Sequence, residues 1–291
     1  MIQAPVSKSL YNFVELDVSE IGKYPEGIRD ICDRRIHGLI VKNFFSQEDI
    51  SRVLSRLTRK GPLPGSPFGD VLIYGPALYI CDADITQYCE EAVKFRKDCR
   101  QIFSGGADFE TRLTEVLGAM SGGSPVELPV TPDGYTYTPT TIRVLETDQN
   151  MGWHFENQFL HCTPGYRHLE TIVEPDDHLS YFAVLSAADA GGELVLYDLE
   201  WSETEWPDKE HGGTRKNGLV NGKLISSVME DYDKMYLSPE AGSLVVFDAG
   251  RILHRVSALK VLAVGSPSVD FWLFPRIGKN FFTGVSGLIE Q

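Results

Sequence analysis

At 291 residues, with 42% hydrophobic and 23% charged side chains, the chain is long enough to bury one large core and too apolar for disorder to dominate. Its formal charge of −14 repels phosphate backbones and anionic membrane surfaces, so neither nucleic acid nor membrane is expected as a partner, and an anionic ligand needs a local basic pocket. No run approaches the ~18 apolar residues of a membrane span, the N-terminus has no signal-like apolar stretch, and five cysteines without a CxxC pair read as reduced thiols; the expectation is a cytoplasmic protein.

Residues 1–133 read as a mainly helical layer. GIRDICDRRIHG carries apolar positions at Ile28, Ile31 and Cys32, and LIVKNF after it is a compact strand. Ser46, followed by Glu48, Asp49 and Ile50, starts a helix that runs through Leu57, with acidic residues in its first turn. KGPLPGSPFGD is a loop by its Pro and Gly content. DITQYCEEAVKFRKDCRQIF and DFETRLTEVLGAM are amphipathic helices, the second broken by SGGSP.

From residue 134 the texture changes to β-branched and aromatic runs separated by turn residues: YTYTPTTIRVLE, HLSYFAVLS, GELVLYDLEW, GSLVVFDAG, ILHRVSAL and VDFWLF. Six or more strands after a helical section fit an α+β chain with a sandwich, barrel or jelly roll and helices on one side. With no clear linker, residues 1–291 read as a single domain. Residues 201–238, polar and acidic, read as an insertion between strands, and long ordered insertions are often lids.

The segment Gly152-Trp153-His154-Phe155-Glu156-Asn157 carries the chemistry. On a strand, residues two apart share a face, so an imidazole and a carboxylate would project together as two ligands of a two-His-one-carboxylate triad. The third ligand must come from a distant strand, and GSLVVFDAGRILHRVSAL offers His254 after an Asp-Gly turn. An HxE pair by itself is weak; its order and spacing with GGELVLYDLE and FDAGRILH is far more specific. His37, His161, His168, His178 and His211 have no metal-ligand spacing and read as ordinary surface or hydrogen-bonded histidines, with His161 nearest in character to His154.

Through KYPEGIRDI, LIYGPAL, FRKDCRQIF, YTYTPTTIRVLE, HLSYFAVL, GGELVLYDLEW and FDAGRILHRVSALK the chain resembles the iron(II)/2-oxoglutarate oxygenase superfamily, and within it the freestanding halogenases of hapalindole- and welwitindolinone-type alkaloids, nearly end to end. The resemblance implies a double-stranded β-helix (jelly-roll) core with flanking N-terminal helices. It implies Fe(II) on His154, Glu156 and His254, with 2-oxoglutarate and O2 as co-substrates. Residues of LIYGPALYI (Tyr74 and Leu78), together with Phe159 and Trp201, would line an apolar substrate pocket.

Two departures bear on function. The halogenases carry Gly two residues after the first His, leaving room for chloride; here Glu156 stands there, so the chemistry expected is oxygen insertion rather than halogenation. The family also places an Arg at the start of the strand after the distal His, to pair with the 2-oxoglutarate tail. Matching GSP puts Val269 at that place, with Ser268 and Asp270 beside it. The anchor must then come from Arg143 first, or from Arg255 or Arg276, with Tyr181 a further co-substrate contact. The resulting expectation is a non-haem iron(II) dioxygenase. It would couple decarboxylation of 2-oxoglutarate to hydroxylation, desaturation or cyclisation of a small natural-product intermediate, without a carrier protein. An iron oxygenase that does without 2-oxoglutarate, and a non-catalytic jelly-roll binding protein, are the alternatives.

Overall fold

The computed structural model of the chain describes residues 9–60, 72–81, 84–106, 108–173, 178–188, 190–206, 218–260, 270–274 and 276–278. The N-terminal half supplies the strands β1 (Phe13–Asp17), β2 (Gly38–Lys42) and β3 (Leu72–Tyr74) and the helices α1 (Gly27–Cys32), α2 (Gln47–Lys60), α3 (Thr86–Ile102) and α4 (Phe109–Ala119). Helix α2 begins where the sequence signals it. The Ser46 hydroxyl accepts from the amide of Asp49 at 3.1 Å, and the Asp49 carboxylate accepts from the Ser46 amide in return. Asp108 caps α4 in the same manner, accepting from Thr111 N.

The C-terminal half supplies β4 (Thr141–Leu145), β5 (Met151–His154), α5 (Gln158–Cys162), α6 (Pro164–Glu170), β6 (His178–Ser186), β7 (Leu194–Glu200), β8 (Leu219–Val220), β9 (Lys223–Leu224), α7 (Ile225–Val228), β10 (Lys234–Leu237), β11 (Leu244–Phe247), β12 (Ile252–Val256), β13 (Asp270–Phe274) and β14 (Arg276–Gly278). Among the described residues these form two main sheets. The larger runs β1-β2-β11-β6-β13-β4-β3, with β14 also on β6; the smaller runs β10-β7-β12-β5. Apart from the parallel β1–β2 pair, every pairing is antiparallel. The chain crosses repeatedly between sheets: β4 lies in the larger, β5 in the smaller, β6 in the larger and β7 in the smaller. The molecule is mixed helix and sheet, with no closed barrel among the described strands.

Side-chain alternation explains the layering. On β6, Leu179, Tyr181, Ala183 and Leu185 pack toward the helices with Val53 and Leu57 of α2 and Leu113 of α4. Phe182 and Val184, one residue out of phase, pack instead against Leu194 and Leu196 of β7 and Ile252 and Val256 of β12, between the sheets. The outer face of the smaller sheet buries Val195, Tyr197, Leu199 and Leu253 under Val220 and Ile225. The order is therefore helices, larger sheet, smaller sheet, covering segment. Each buried strand carries apolar groups on both faces, hence the near-continuous apolar runs of the sequence.

Within the stretch 201–238 read as an insertion, residues 207–217 lie outside the described residues, and described parts find partners on the smaller sheet. Lys234–Leu237 is β10, paired with β7, and residues 218–229 cover the outer face of the smaller sheet, because Val220 and Ile225 find apolar partners there. None of the described helices is long and apolar enough to cross a membrane.

Candidate metal centre and its cavity

Strands β5 and β12 pair antiparallel with His154 opposite His254, so the register brings together two imidazoles distant in sequence. Their rings lie 4.3 Å apart between centroids. Each ring is oriented by its own strand: His154 Nδ1 meets Gly152 O at 2.8 Å and His254 Nδ1 meets Ile252 O at 2.9 Å. With Nδ1 carrying the hydrogen, Nε2 is the lone-pair nitrogen turned to the interior. Burial, and then the neighbouring His154, push His254 down to about 3, so its imidazole is neutral, which is the ligating form.

Glu156 reaches the same point by a different route from the one its spacing predicts. Strand β5 ends at His154, and Glu156 sits in the following turn rather than on a strand face. The Phe155 amide donates to Gln158 Oε1 and turns the chain into α5, while the Glu156 amide donates to Ala249 O of the β11–β12 turn. One carboxylate oxygen then lies 3.6 Å from His154 Nε2. One ligand atom each from His154, Glu156 and His254 falls within 4.8 Å of the others, the group among the described residues that can hold a metal ion. Two imidazoles and a carboxylate are a donor set that suits iron(II).

The turns behind the ligands interlock. The Asn157 side-chain oxygen accepts from the His178 amide, and the Gly250 amide donates to His178 O at 2.7 Å. A side chain at Gly250 would meet Asn157 Oδ1 at 2.5 Å and His178 O at 2.7 Å. The glycine of the FDAGR turn is thus required by close backbone approach.

A cavity of about 110 Å³ opens beside Glu156. Rings of Tyr79, Tyr88, Tyr137, Tyr166 and Tyr181 give it an aromatic wall. Three of these phenols are turned into that wall: Tyr88 accepts from Thr138 N, Tyr137 meets His168 Nδ1 at 2.7 Å, and Tyr181 donates to Pro139 O. Burial pushes all three well up, so they stay protonated. Arg143, buried on β4, lines the cavity as well, with its guanidinium 5.1 Å from the Tyr79 ring and 3.7 Å from Met151 Sδ of β5.

The other residues singled out in the sequence scatter. Leu78 and Tyr181 line the cavity, and Phe159 stands against His154 with ring centroids 5.7 Å apart. Tyr74 is in the core between helices and larger sheet, because β3 alternation turns it away from the interior. Trp201 lies on the outer face of the smaller sheet, stacked on Trp206 and beside His161. Arg255, next in chain to an inward His254, points outward onto the Tyr197 ring and toward Glu230. The backbone of Arg276 pairs with Ser180, while its side chain, like Val269, Ser268 and His211, lies outside the described residues. His178, read as an ordinary histidine, is buried and lines the cavity; its place at the head of an apolar strand was the available signal. Thr141 was also passed over, although it stands two residues from Arg143 on one strand.

No curated protein matches the chain. Among solved structures, it is similar to an oxidoreductase of the 2OG-Fe(II) oxygenase family from Burkholderia pseudomallei, with 13% identity over 90% of this chain and 93% of that one and a TM-score of 0.45. It is also similar to an N-substituted L-amino acid dioxygenase in complex with alpha-KG from Burkholderia ambifaria AMMD, at 14% identity, 85% and 84% coverage and a TM-score of 0.47. The epimerase SnoN from nogalamycin biosynthesis gives 10% identity, 90% and 82% coverage and a TM-score of 0.43. Likeness this distant says nothing about the chemistry of this chain. The family description "Carrier-protein-independent halogenase WelO5" matches residues 10–262, which hold both histidines, the glutamate and the cavity-lining residues. The chain therefore belongs to the WelO5 family of carrier-protein-independent halogenases, a family of the 2-oxoglutarate/Fe(II) oxygenase type.

Proposed function

We propose that this chain is an Fe(II)- and 2-oxoglutarate-dependent oxygenase that hydroxylates an unactivated C–H bond of a small natural-product intermediate, and that its two sheets are a double-stranded β-helix. The observation that carries the reading is the group of His154, Glu156 and His254 between the sheets, at the edge of an aromatic cavity that also holds one buried arginine. Bound there, Fe(II) with 2-oxoglutarate and O2 supplies oxidation of a C–H bond with release of succinate and CO2.

The residues of the chain do the rest. His154 and His254 present Nε2 because their Nδ1 atoms are held by backbone carbonyls. Glu156 supplies the third donor and a negative charge where halogenating relatives leave room for a halide. A second anion on that face would be repelled, so hydroxylation is the expected outcome in place of halogenation. Among the described residues, Arg143 is the cation that lines the cavity, and it would pair with the tail carboxylate of 2-oxoglutarate. The tyrosine rings exclude water from the substrate and hold it by apolar contact.

Anaerobic loading with Fe(II) and 2-oxoglutarate, followed by O2, tests this directly. With a substrate found by screening small apolar natural products, the expected result is one succinate per hydroxylated product and no halogenated product in excess chloride or bromide. A chlorinated product from the unaltered protein would sink the hydroxylase reading. Product formed without 2-oxoglutarate would favour an iron oxygenase that draws its electrons from the substrate.

A further inference from the structure

Among the described residues four threonines line the cavity, and three of their hydroxyls are occupied by backbone. Thr114 donates to Glu110 O, Thr138 to Thr140 O and Thr140 to Thr141 O. The fourth, Thr141, is 5% exposed, and its Oγ1 has no hydrogen-bond partner among the described residues. A buried hydroxyl left so is unfavourable unless a ligand completes it. Thr141 and Arg143 stand two apart on β4, so strand alternation sets both on the face that looks between the sheets, where Leu145 also packs. Among the described residues Arg143 is the sole Lys or Arg lining the cavity, while Glu110, Glu127 and Glu156 add negative charge to it. A dianionic ligand entering it is therefore drawn to the Arg143 end.

We infer that Thr141 is the second donor of a carboxylate clamp shared with Arg143, so that the distal carboxylate of a dicarboxylic 2-oxo acid accepts from the guanidinium and from the threonine hydroxyl together. A carboxylate offers about four lone-pair sites, more than a single guanidinium edge fills, and a hydroxyl two residues away on the same strand supplies a further donor. The inference rests on the 2-oxoglutarate reading above, and it locates the clamp on β4 rather than on the strand after His254.

The test is calorimetry on protein loaded with Mn(II), which binds without turnover, using the unaltered chain, Thr141→Val and Thr141→Ser. The Val variant keeps the shape and loses the hydroxyl; the Ser variant keeps the hydroxyl. For 2-oxoglutarate, Kd should rise roughly tenfold or more in Thr141→Val, as for loss of a hydrogen bond to a charged group, and stay near its original value in Thr141→Ser. Pyruvate has the same 2-oxo acid head without the distal carboxylate, so its Kd should be the same in all three proteins. Equal binding of 2-oxoglutarate by Thr141→Val and the unaltered chain overturns the clamp, and so does a loss that pyruvate shares. Failure of the unaltered chain to bind 2-oxoglutarate overturns the co-substrate reading itself, and is seen before any variant is made.

Discussion

His254 has one nitrogen tied to Ile252 O and one turned inward, and its burial keeps it neutral, so metal binding needs no change of tautomer or charge there. His254→Ala should lower metal affinity by at least ~100-fold, beyond what loss of an outer partner costs, and abolish turnover. Far-UV circular dichroism should still report the sheets. Retention of iron and activity would remove His254 from the ligand set. Arg143 bears the other charge of the site. Breaking a buried ion pair by deleting one partner costs about 3–5 kcal/mol, so Arg143→Met should raise the apparent KM for 2-oxoglutarate well beyond tenfold. An unchanged KM would reject it as the anchor.

At the scale of elements, the turns behind the metal ligands matter as much as the strands. Gly250 lies against Asn157 and the backbone of His178, so Gly250→Ala forces apart the β11–β12 turn and the turn that carries Glu156. Overpacking of this kind costs about 1–3 kcal/mol, and the variant should show a lower Tm together with weaker metal binding. An unaltered Tm would mean that the turns separate freely. A second junction ties β1 to β2. The His37 amide donates to Asn12 O, and the Asn12 amide donates to His37 Nδ1 at 3.0 Å. Burial holds the His37 pKa below its ordinary 6.5. The unfolded chain therefore takes up a proton before the folded one as pH falls through 6.5, and stability is lost from there downward. Urea midpoints should fall between pH 7 and pH 5, and His37→Gln should flatten that fall.

Much of this organisation was legible because it repeats. The two long helices, the strand runs and the pairing of HxE with a distant FDAGRILH each follow from periodicity or spacing. Less legible were short elements whose identity depends on partners: β10 is four residues inside a polar stretch, and it is a strand because β7 offers an edge. The cavity was the least legible. Tyr74 and Tyr79 are five residues apart with similar neighbours, yet one is core and the other stands over Arg143, a difference set by how β3 meets β4.

For the whole molecule, a ligand set drawn from two strands and a turn makes the metal part of the fold. An ion bound to the native state and not to the unfolded chain stabilises by about 2.7 kcal/mol at a hundred times its Kd, or roughly 4–5 °C for a chain of this size. Mn(II) added without oxygen should raise Tm by that amount and a chelator should reverse it. The same addition to His254→Ala should leave Tm unchanged; an equal rise there would place the ion elsewhere.

The rung at which His154 faces His254 joins positions one hundred residues apart. During folding the chain holds two of its three donors almost side by side from the start, and acquires the third only when β12 docks. Closing a loop of that length costs about 4 kcal/mol of chain entropy, which β-sheet pairing must supply before the ion can bridge it. Metal capture is thus a late event that arrives on a finished scaffold. The ion does little to hasten folding and much to delay its reversal, acting as a removable clasp whose loss shortens the lifetime of the native state.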